Sequence, residues 1–145
     1  MNKTPASTAD WTPGNAIYGS GSIFEGRELV HLKILSDRRA QGCGIAYIVR
    51  FSPPPGKIIK VTAVAQSDEH VYILEGGSCN KKGEQIGFPG DYALNPQGRP
   101  HAAFIAIEMV TLQVYAGEPD EIKSFEVIPP LLDVSEAPPA IKNKI

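Results

Sequence analysis

Short runs rich in valine, isoleucine, tyrosine and phenylalanine alternate along this chain with clusters of glycine, proline and small polar residues. Such runs favour β-strands, and the clusters between them are typical of turns. The runs follow one another at spacings of roughly 8–14 residues, which indicates an all-β sandwich or barrel. They span residues 28–35, 44–51, 57–64, 70–76, 91–95, 101–108 and 110–116. We therefore predict an all-β fold with no long helix.

The 145 residues fit a single domain, which we predict to span 1–145 with its core over about 28–128. Residues 1–27 hold many prolines and glycines and are predicted to form an extended arm. Trp11, Ile17 and Tyr18 would dock this arm on the core. The tail, 129–145, is broken by prolines and is predicted to pack on the barrel or to wrap a partner subunit.

Composition narrows the classes of function. The net charge is −2 and no basic stripe is present, which argues against nucleic-acid binding. No apolar run approaches the roughly 20 residues of a membrane span, and the N-terminus lacks the apolar segment of a secretory signal. We therefore expect a cytoplasmic protein with no nucleic-acid or membrane partner. In that compartment Cys43 and Cys79 are expected to be reduced thiols.

The segment GDYALNPQGRPH, residues 90–101, carries the most specific pattern in the sequence. It has Gly90, five residues, Pro96, one residue, Gly98, two residues and then His101. The stretch around Pro96 and Gly98 predicts a turn, because proline presets φ and glycine admits positive φ. The chain then enters a strand at His101.

This pattern resembles the second motif of the cupin superfamily, whose members are jelly-roll β-barrels (double-stranded β-helices). The resemblance implies that His101 points into the barrel and binds a metal. The segment EHVYILEG, residues 69–76, is similar to the second half of the first cupin motif. Alignment on its glycine puts Glu69 where many cupins have a carboxylate ligand. The two histidines of that motif would fall at 63 and 65, where this chain has Ala63 and Ala65.

His70 is the alternative to Glu69 as the second metal ligand. The two are neighbours, and successive side chains of a strand point to opposite faces. Only one of them therefore faces the lumen of a regular strand. The alignment favours Glu69, while His70 would pair with His101 if the strand were turned over.

Small single-domain cupins resembling acetylacetone dioxygenase and the anti-sigma-type cupins are the most similar group, over about residues 28–118. In acetylacetone dioxygenase three histidines hold Fe(II), and O2 cleaves a C–C bond of a β-diketone bound as its enolate. The first hypothesis is therefore a metal-dependent dioxygenase of this type, with Fe(II), Zn, Mn or Ni. The second is a small-molecule-binding or sensor cupin with weak or no metal binding. A third is a metal-independent sugar epimerase that uses Glu69 and His101 as an acid–base pair.

The barrel interior predicts a concave apolar pocket for a small molecule. Ala63 and Ala65 would enlarge it, and Arg99 would meet an anionic group at its mouth. The expected lining residues are Ala63, Ala65, Gln66, Tyr72, Arg99 and Phe104. Exposed strand edges and the N-terminal arm predict a homodimer or a higher homo-oligomer.

Overall fold

A computed structural model describes residues 10–131 of the chain. The strands are β1 (Thr12–Pro13), β2 (Ile23–Phe24), β3 (Arg27–Glu28), β4 (Val30–Asp37), β5 (Ile45–Phe51), β6 (Ile58–Val64), β7 (Glu69–Glu75), β8 (Tyr92–Asn95), β9 (Pro100–Ile105), β10 (Met109–Tyr115) and β11 (Glu121–Ile128). One short helix, α1 (Asn15–Tyr18), and two 3-10 turns, Ser20–Ser22 and Arg39–Gln41, complete the secondary structure of the described residues. The predicted all-β architecture is confirmed.

Two antiparallel sheets enclose the core. The larger sheet has the order β1-β4-β5-β10-β7-β8, and the smaller one has the order β11-β6-β9. A separate hairpin joins β2 to β3. Several neighbouring strands are far apart in sequence, as in β5 beside β10 and β6 beside β11. This order is that of a jelly roll, in which the strands of a sheet come from distant parts of the chain.

Alternation of side chains along the strands builds the core. In β5, Ile45, Tyr47, Val49 and Phe51 are buried, and the residues between them are partly exposed. The same cluster contains residues of β6 and β9 from the smaller sheet. Both sheets therefore share one hydrophobic interior, as a period of two with one buried face requires.

The N-terminal arm is only partly as predicted. Tyr18 is buried and packs edge-on against Phe51 and Phe125, and Trp11 lies under the cations of Lys33 and Arg50. Residues 12–28 nevertheless contain α1 and two short strand pairings, so this part is not simply extended. Residues 1–9 and 132–145, including most of the predicted tail, lie outside the described residues.

Two predictions from composition can be compared with the structure. Cys43 is exposed, Cys79 is buried, and both are free thiols. No helix within residues 10–131 is long and apolar enough to cross a membrane. The cytoplasmic location and the homodimer stay predictions.

Candidate metal centre

Glu69 lies at the start of β7 with its side chain inside the barrel. Along β7, Glu69 and Ile73 are buried, whereas His70, Tyr72 and Leu74 are exposed. This alternation follows the two-residue period of a strand. Glu69 is only 2% exposed, a degree of burial that a carboxylate reaches only with partners.

His101 and Asp120 approach Glu69 from the smaller sheet. His101, on β9, is the pairing partner of Ala63 on the central strand β6. On the other side of β6, Glu121 pairs with Val64, so Asp120 lies one residue before the paired part of β11. The two outer strands of this sheet therefore bring an imidazole and a carboxylate to the same end of the barrel.

The turn that carries Asp120 is clamped to the turn before β7. Gln66 Nε2 donates a hydrogen bond of 2.7 Å to the carbonyl oxygen of Pro119. Ser67 Oγ donates to the carbonyl oxygen of Glu118 at 2.7 Å and accepts from the backbone N–H of Gly117 at 2.9 Å. These bonds fix the backbone immediately before Asp120 and aim its side chain into the barrel.

The three side chains meet around one point. His101 Nε2 lies 3.0 Å from Asp120 Oδ2 and 3.6 Å from Glu69 Oε1. One donor atom of each residue lies within 4.8 Å of the other two. The contact with Asp120 has the length of an ion pair but not hydrogen-bond alignment. His101 Nε2 and Asp120 Oδ1 are both buried and have no hydrogen-bond partner among residues 10–131.

These donors fit a divalent cation. Buried polar atoms are nearly always hydrogen-bonded, and His101 Nε2 and Asp120 Oδ1 make no aligned hydrogen bond within residues 10–131, so both atoms are free to bind a further group. An imidazole nitrogen and carboxylate oxygens are ligands of Mn, Fe and Zn in proteins. Within residues 10–131, three candidate ligands converge, which would leave coordination positions for water or a substrate, as in catalytic rather than structural metal sites.

Mutual charge and burial shift the acid–base properties of the cluster. Burial raises the pKa of Glu69 above its usual value, and the Asp120 carboxylate raises it further. Hydrogen bonds from Tyr115 and Asn95 act in the opposite direction. The interaction with Asp120 raises the pKa of His101, although burial of the ring opposes this. A divalent cation would replace the proton as the positive charge between the two carboxylates.

Tyr115 and Asn95 hold the Glu69 carboxylate in place. Asn95 Nδ2 donates to Oε1 at 2.8 Å, and the Tyr115 hydroxyl lies 2.6 Å from Oε2. The same hydroxyl lies 3.0 Å from Gln113 Oε1. Because a tyrosine has a single hydroxyl hydrogen, we assign it to the shorter contact, with Glu69. Partners of this kind orient metal ligands and tune their basicity.

Replacing Tyr115 with phenylalanine should lower the affinity for a divalent cation about 10–100-fold, the usual effect of losing an outer partner of a metal ligand. The substitution removes the donor to Glu69 Oε2 and leaves the carboxylate held only through Oε1, by Asn95. Isothermal titration with Zn²⁺ or Mn²⁺ measures the change. Tyr72→Phe, on the exposed face of β7, is the matched control. Equal affinities of the two variants would contradict a positioning role for Tyr115.

A cavity of about 460 Å³ opens beside Glu69, His101 and Asp120. Its walls are mostly apolar and come from both sheets, and they also include the polar side chains of Thr111 and Gln113. The main apolar lining residues are Phe51, Val61, Val71, Ile73, Met109 and Ile122. The volume falls within the roughly 300–1,000 Å³ typical of small-molecule sites.

Comparison with solved structures identifies this architecture. KdgF from Halomonas sp. matches with a TM-score of 0.55 and 15% identity, over 81% of this chain and 96% of that one. An RmlC-like cupin protein from Ralstonia eutropha matches with a TM-score of 0.55 and 15% identity, over 88% and 80%. The chain has the cupin fold. The polyketide cyclase RemF from Streptomyces resistomycificus is also similar, with a TM-score of 0.52 and 19% identity over 92% and 88%.

At these identities the likeness concerns the cupin fold and not the chemistry. A scan against protein-family models and a search of curated proteins each gave no match. The activity must therefore be argued from the side chains of this chain.

Within the cupin barrel, the structure separates Glu69 from its alternative, His70. Glu69 faces the ligand cluster, whereas His70 is exposed on the opposite face of β7, where its Nδ1 lies 2.7 Å from the Tyr92 hydroxyl. The prediction of His70 as a metal ligand is therefore wrong. The two-residue period of the strand decides this, because the face that holds Glu69 also holds the buried Ile73.

Most of the predicted pocket residues lie elsewhere. Ala63 does line the cavity. Tyr72 and Arg99 are exposed and are not among its lining residues, since one is on the outer face of β7 and the other in a turn. The other three residues do not line the cavity either. Ala65 makes backbone hydrogen bonds with Gly98 and Arg99, and Gln66 donates to the Pro119 carbonyl oxygen. The ring of Phe104 lies 5.9 Å from the Lys60 ammonium.

Asp120 is the site residue that the sequence analysis missed. It falls in GEPDE, a run whose composition is typical of a turn. The strand that follows, β11, was not predicted either, because a register shift between Ile122 and Ser124 breaks its alternation. Glu121 pairs with Val64, which lies between the two positions where the first cupin motif has histidines. Asp120, the residue before Glu121, therefore reaches the site from the strand next to those positions.

Proposed function

We propose that Glu69, His101 and Asp120 hold one divalent cation, and that the chain is an enzyme acting on a small molecule that chelates this cation through two oxygen atoms. The observation that carries the proposal is the convergence of Glu69, His101 and Asp120 on one point beside an apolar cavity, where His101 Nε2 and Asp120 Oδ1 make no aligned hydrogen bond within residues 10–131. A large apolar pocket with a few convergent polar groups is the usual form of an active site.

One imidazole with two carboxylates suits Mn, Fe(II) or Zn. When bound, the cation would supply a Lewis acid for the substrate oxygens and, in the case of Fe(II), the one-electron chemistry that O2 requires. This set of ligands differs from the three-histidine set of acetylacetone dioxygenase by having two negative charges, which would lower the net charge of the metal centre.

The other lining residues would bind and orient the substrate. Phe51, Val71 and Met109 line the cavity and would hold an apolar body while excluding water from the cation. Asn95 and Tyr115 keep the Glu69 carboxylate from rotating. Because these hydrogen bonds already hold the Glu69 carboxylate in position, it needs less reorganisation during a reaction.

The specific reaction that we propose is O2-dependent cleavage of a β-diketone or a related compound. In such a reaction the bond between the central carbon and one carbonyl carbon breaks, and both atoms of O2 enter the products. The products are one carboxylic acid and one 2-oxoaldehyde. The resemblance of about residues 28–118 to small single-domain cupins of the acetylacetone dioxygenase type supports this choice of reaction. The apolar cavity next to oxygen-binding ligands supports the choice of substrate.

The test is metal analysis of protein purified without chelator and reconstituted with Fe(II), Mn²⁺ or Zn²⁺. We expect about one ion per chain in the wild type and a loss of binding in His101→Ala, because a three-ligand site loses its imidazole. His70→Ala, which removes an exposed histidine of β7, is the control. O2 consumption with acetylacetone then tests the reaction. Absence of metal after reconstitution would contradict the proposal.

A metal-free binding module is the second candidate. It is supported by the ion-pair contact of 3.0 Å between His101 and Asp120, which partly neutralises the cluster without a cation. In that case the cavity would bind a small molecule with no turnover. Metal analysis separates the two candidates, because a binding module of this kind would have the same metal content in the wild type and in His101→Ala.

A further inference from the structure

The outer face of the larger sheet is apolar across four neighbouring strands, β8, β7, β10 and β5. Residues that are directly paired on neighbouring strands lie on the same face of a sheet. Two adjacent rows of paired residues cross this face, and we call them the outer rows. They are Leu94, His70, Val114 and Ala46, and then Tyr92, Tyr72, Leu112 and Ile48. None of these residues is a lysine, an arginine or an acidic residue.

Much of this surface is open to solvent. The exposed fractions are 58% for Tyr92, 45% for Leu94, 42% for Tyr72 and 38% for Val114. The ring of Trp11 lies at the opposite side of the sheet, where it packs against the cations of Lys33 and Arg50. Contiguous exposed apolar surface with a polar rim marks sites of protein interaction. The outer rows are therefore a candidate contact surface.

Two polar groups within the outer rows already bind each other. His70 Nδ1 lies 2.7 Å from the Tyr92 hydroxyl, and the two rings stack with their centroids 6.0 Å apart. Burial of a polar group costs little only when the group is hydrogen-bonded. A partner can therefore exclude water from His70 and Tyr92 without leaving these two atoms unpaired.

A third row, next to the outer rows, carries two opposite charges. Val110 of β10 pairs with Arg50 of β5 on one side and with Glu75 of β7 on the other. The two charges therefore lie on opposite sides of β10. Arg50 Nε is 3.6 Å from Glu108 Oε1 and makes no hydrogen bond within residues 10–131. Its guanidinium, which has five N–H donors, can thus bind a further carboxylate.

We propose that two copies of this chain pack through their outer rows as a homodimer, with the two-fold axis running along β10. Such an axis exchanges the β5 side of the sheet with the β7 side. Arg50 of one copy then faces Glu75 of the partner subunit, and the apolar rows of the two copies cover each other. An isologous interface requires a surface that complements itself in this way. Two sheets with aligned strands pack face to face in the same manner in β-sandwiches.

The residues beside the outer rows extend the surface that a partner can cover. Leu74 on β7 and Phe88 in the turn before β8 are both exposed. A stable interface buries about 800 Å² of each partner, and aromatic residues are enriched at its centre. Tyr72 and Tyr92 supply such residues here.

Substitutions of Val114, which lies at the proposed axis, test this arrangement. Val114→Asp places two negative charges opposite each other across the axis, and Val114→Lys places two positive charges there. Sedimentation velocity of the full chain should show a dimer for the wild type. Dimerisation should be at least about a hundredfold weaker in each variant, because like charges brought together oppose association. An equimolar mixture of the two variants should dimerise again, because opposite charges then meet and because misfolded chains could not recover on mixing.

Ile23→Asp is the matched control. Ile23 is 43% exposed, similar to Val114, but it lies in the β2–β3 hairpin, which is not part of the larger sheet. The same new charge at this position should leave the dimer dissociation constant within about twofold, because an exposed charge is screened by solvent.

Three results would overturn the inference. A monomeric wild type would do so, and residues 132–145 of the same chain would then be the candidate cover for the outer rows. A dimer that persists in Val114→Asp, or is lost equally in Ile23→Asp, would place the interface elsewhere. Failure of the mixed variants to dimerise would contradict the axis along β10. Val114 does not line the cavity, so these results leave the proposed metal centre untouched.

Discussion

Replacing Asp120 with asparagine should weaken divalent-cation binding at least about a hundredfold, more than the about 10–100-fold that loss of an outer partner causes. The change keeps the shape of the side chain and removes one of three converging ligands together with its charge. The side chain of Asp120 is only 8% exposed, and its Oδ2 lies 3.0 Å from His101 Nε2. Titration of Mn²⁺ or Zn²⁺ against a chromophoric chelator measures the loss.

Glu121→Gln is the matched control for Asp120→Asn. Glu121 is the next residue of the chain, is exposed, and accepts a hydrogen bond from Lys123 Nζ at 2.6 Å. It carries the same charge a short distance from the ligands but faces away from them. We expect it to leave the affinity within about twofold, because exposed charges are screened by solvent. Similar losses in both variants would indicate a general field effect and would contradict ligation by Asp120.

Replacing Gly76 with alanine should destabilise the fold by about 3 kcal/mol or more. Gly76 follows β7 with φ of 69°, and a left-handed backbone costs a residue with a side chain about 1–2 kcal/mol. A Cβ atom would also lie only 1.9 Å from the carbonyl oxygen of Glu108. The backbone before β10 would have to move, which accounts for the remainder. Urea denaturation of the metal-free protein measures the free energy of unfolding.

Gly98→Ala separates the backbone conformation from the clash. Gly98 has a similar φ of 84°, but no atom lies within 4 Å of the position of an added Cβ. It should therefore lose only the about 1–2 kcal/mol of the left-handed conformation. If Gly76→Ala proved no more destabilising than Gly98→Ala, the clash of the added Cβ with Glu108 would not contribute to the loss of stability.

The sequence alone indicated the two motifs on which the cupin fold is recognised, and it did so for local reasons. The turn of Pro96 and Gly98 is encoded in adjacent residues, and His101 follows it directly. Glu69 was placed by its distance from Gly76 in the same strand. Contacts within one turn or one strand depend on a few successive residues, so a sequence pattern can specify them.

The period of a strand also showed that Glu69 and His70 could not both face the lumen, but not which of them does. That choice depends on which face of β7 meets the smaller sheet, and hence on burial of Ile73 against residues distant in sequence. The same limit applies to the pocket. Tyr72 and Phe104 are aromatic residues of the kind that often line pockets, but neither side chain lines this cavity.

By itself, then, the sequence determined the all-β class and the turns, pointed to His101 as a candidate ligand, and favoured Glu69 over His70 as a second one. Only the tertiary structure revealed Asp120, because β11 reaches the site by pairing with β6, and the register of that pairing is set over the whole strand. It alone also revealed Tyr115 as the partner of Glu69, at a separation of 46 residues. Strand pairing brings such residues together through contacts that no local pattern encodes.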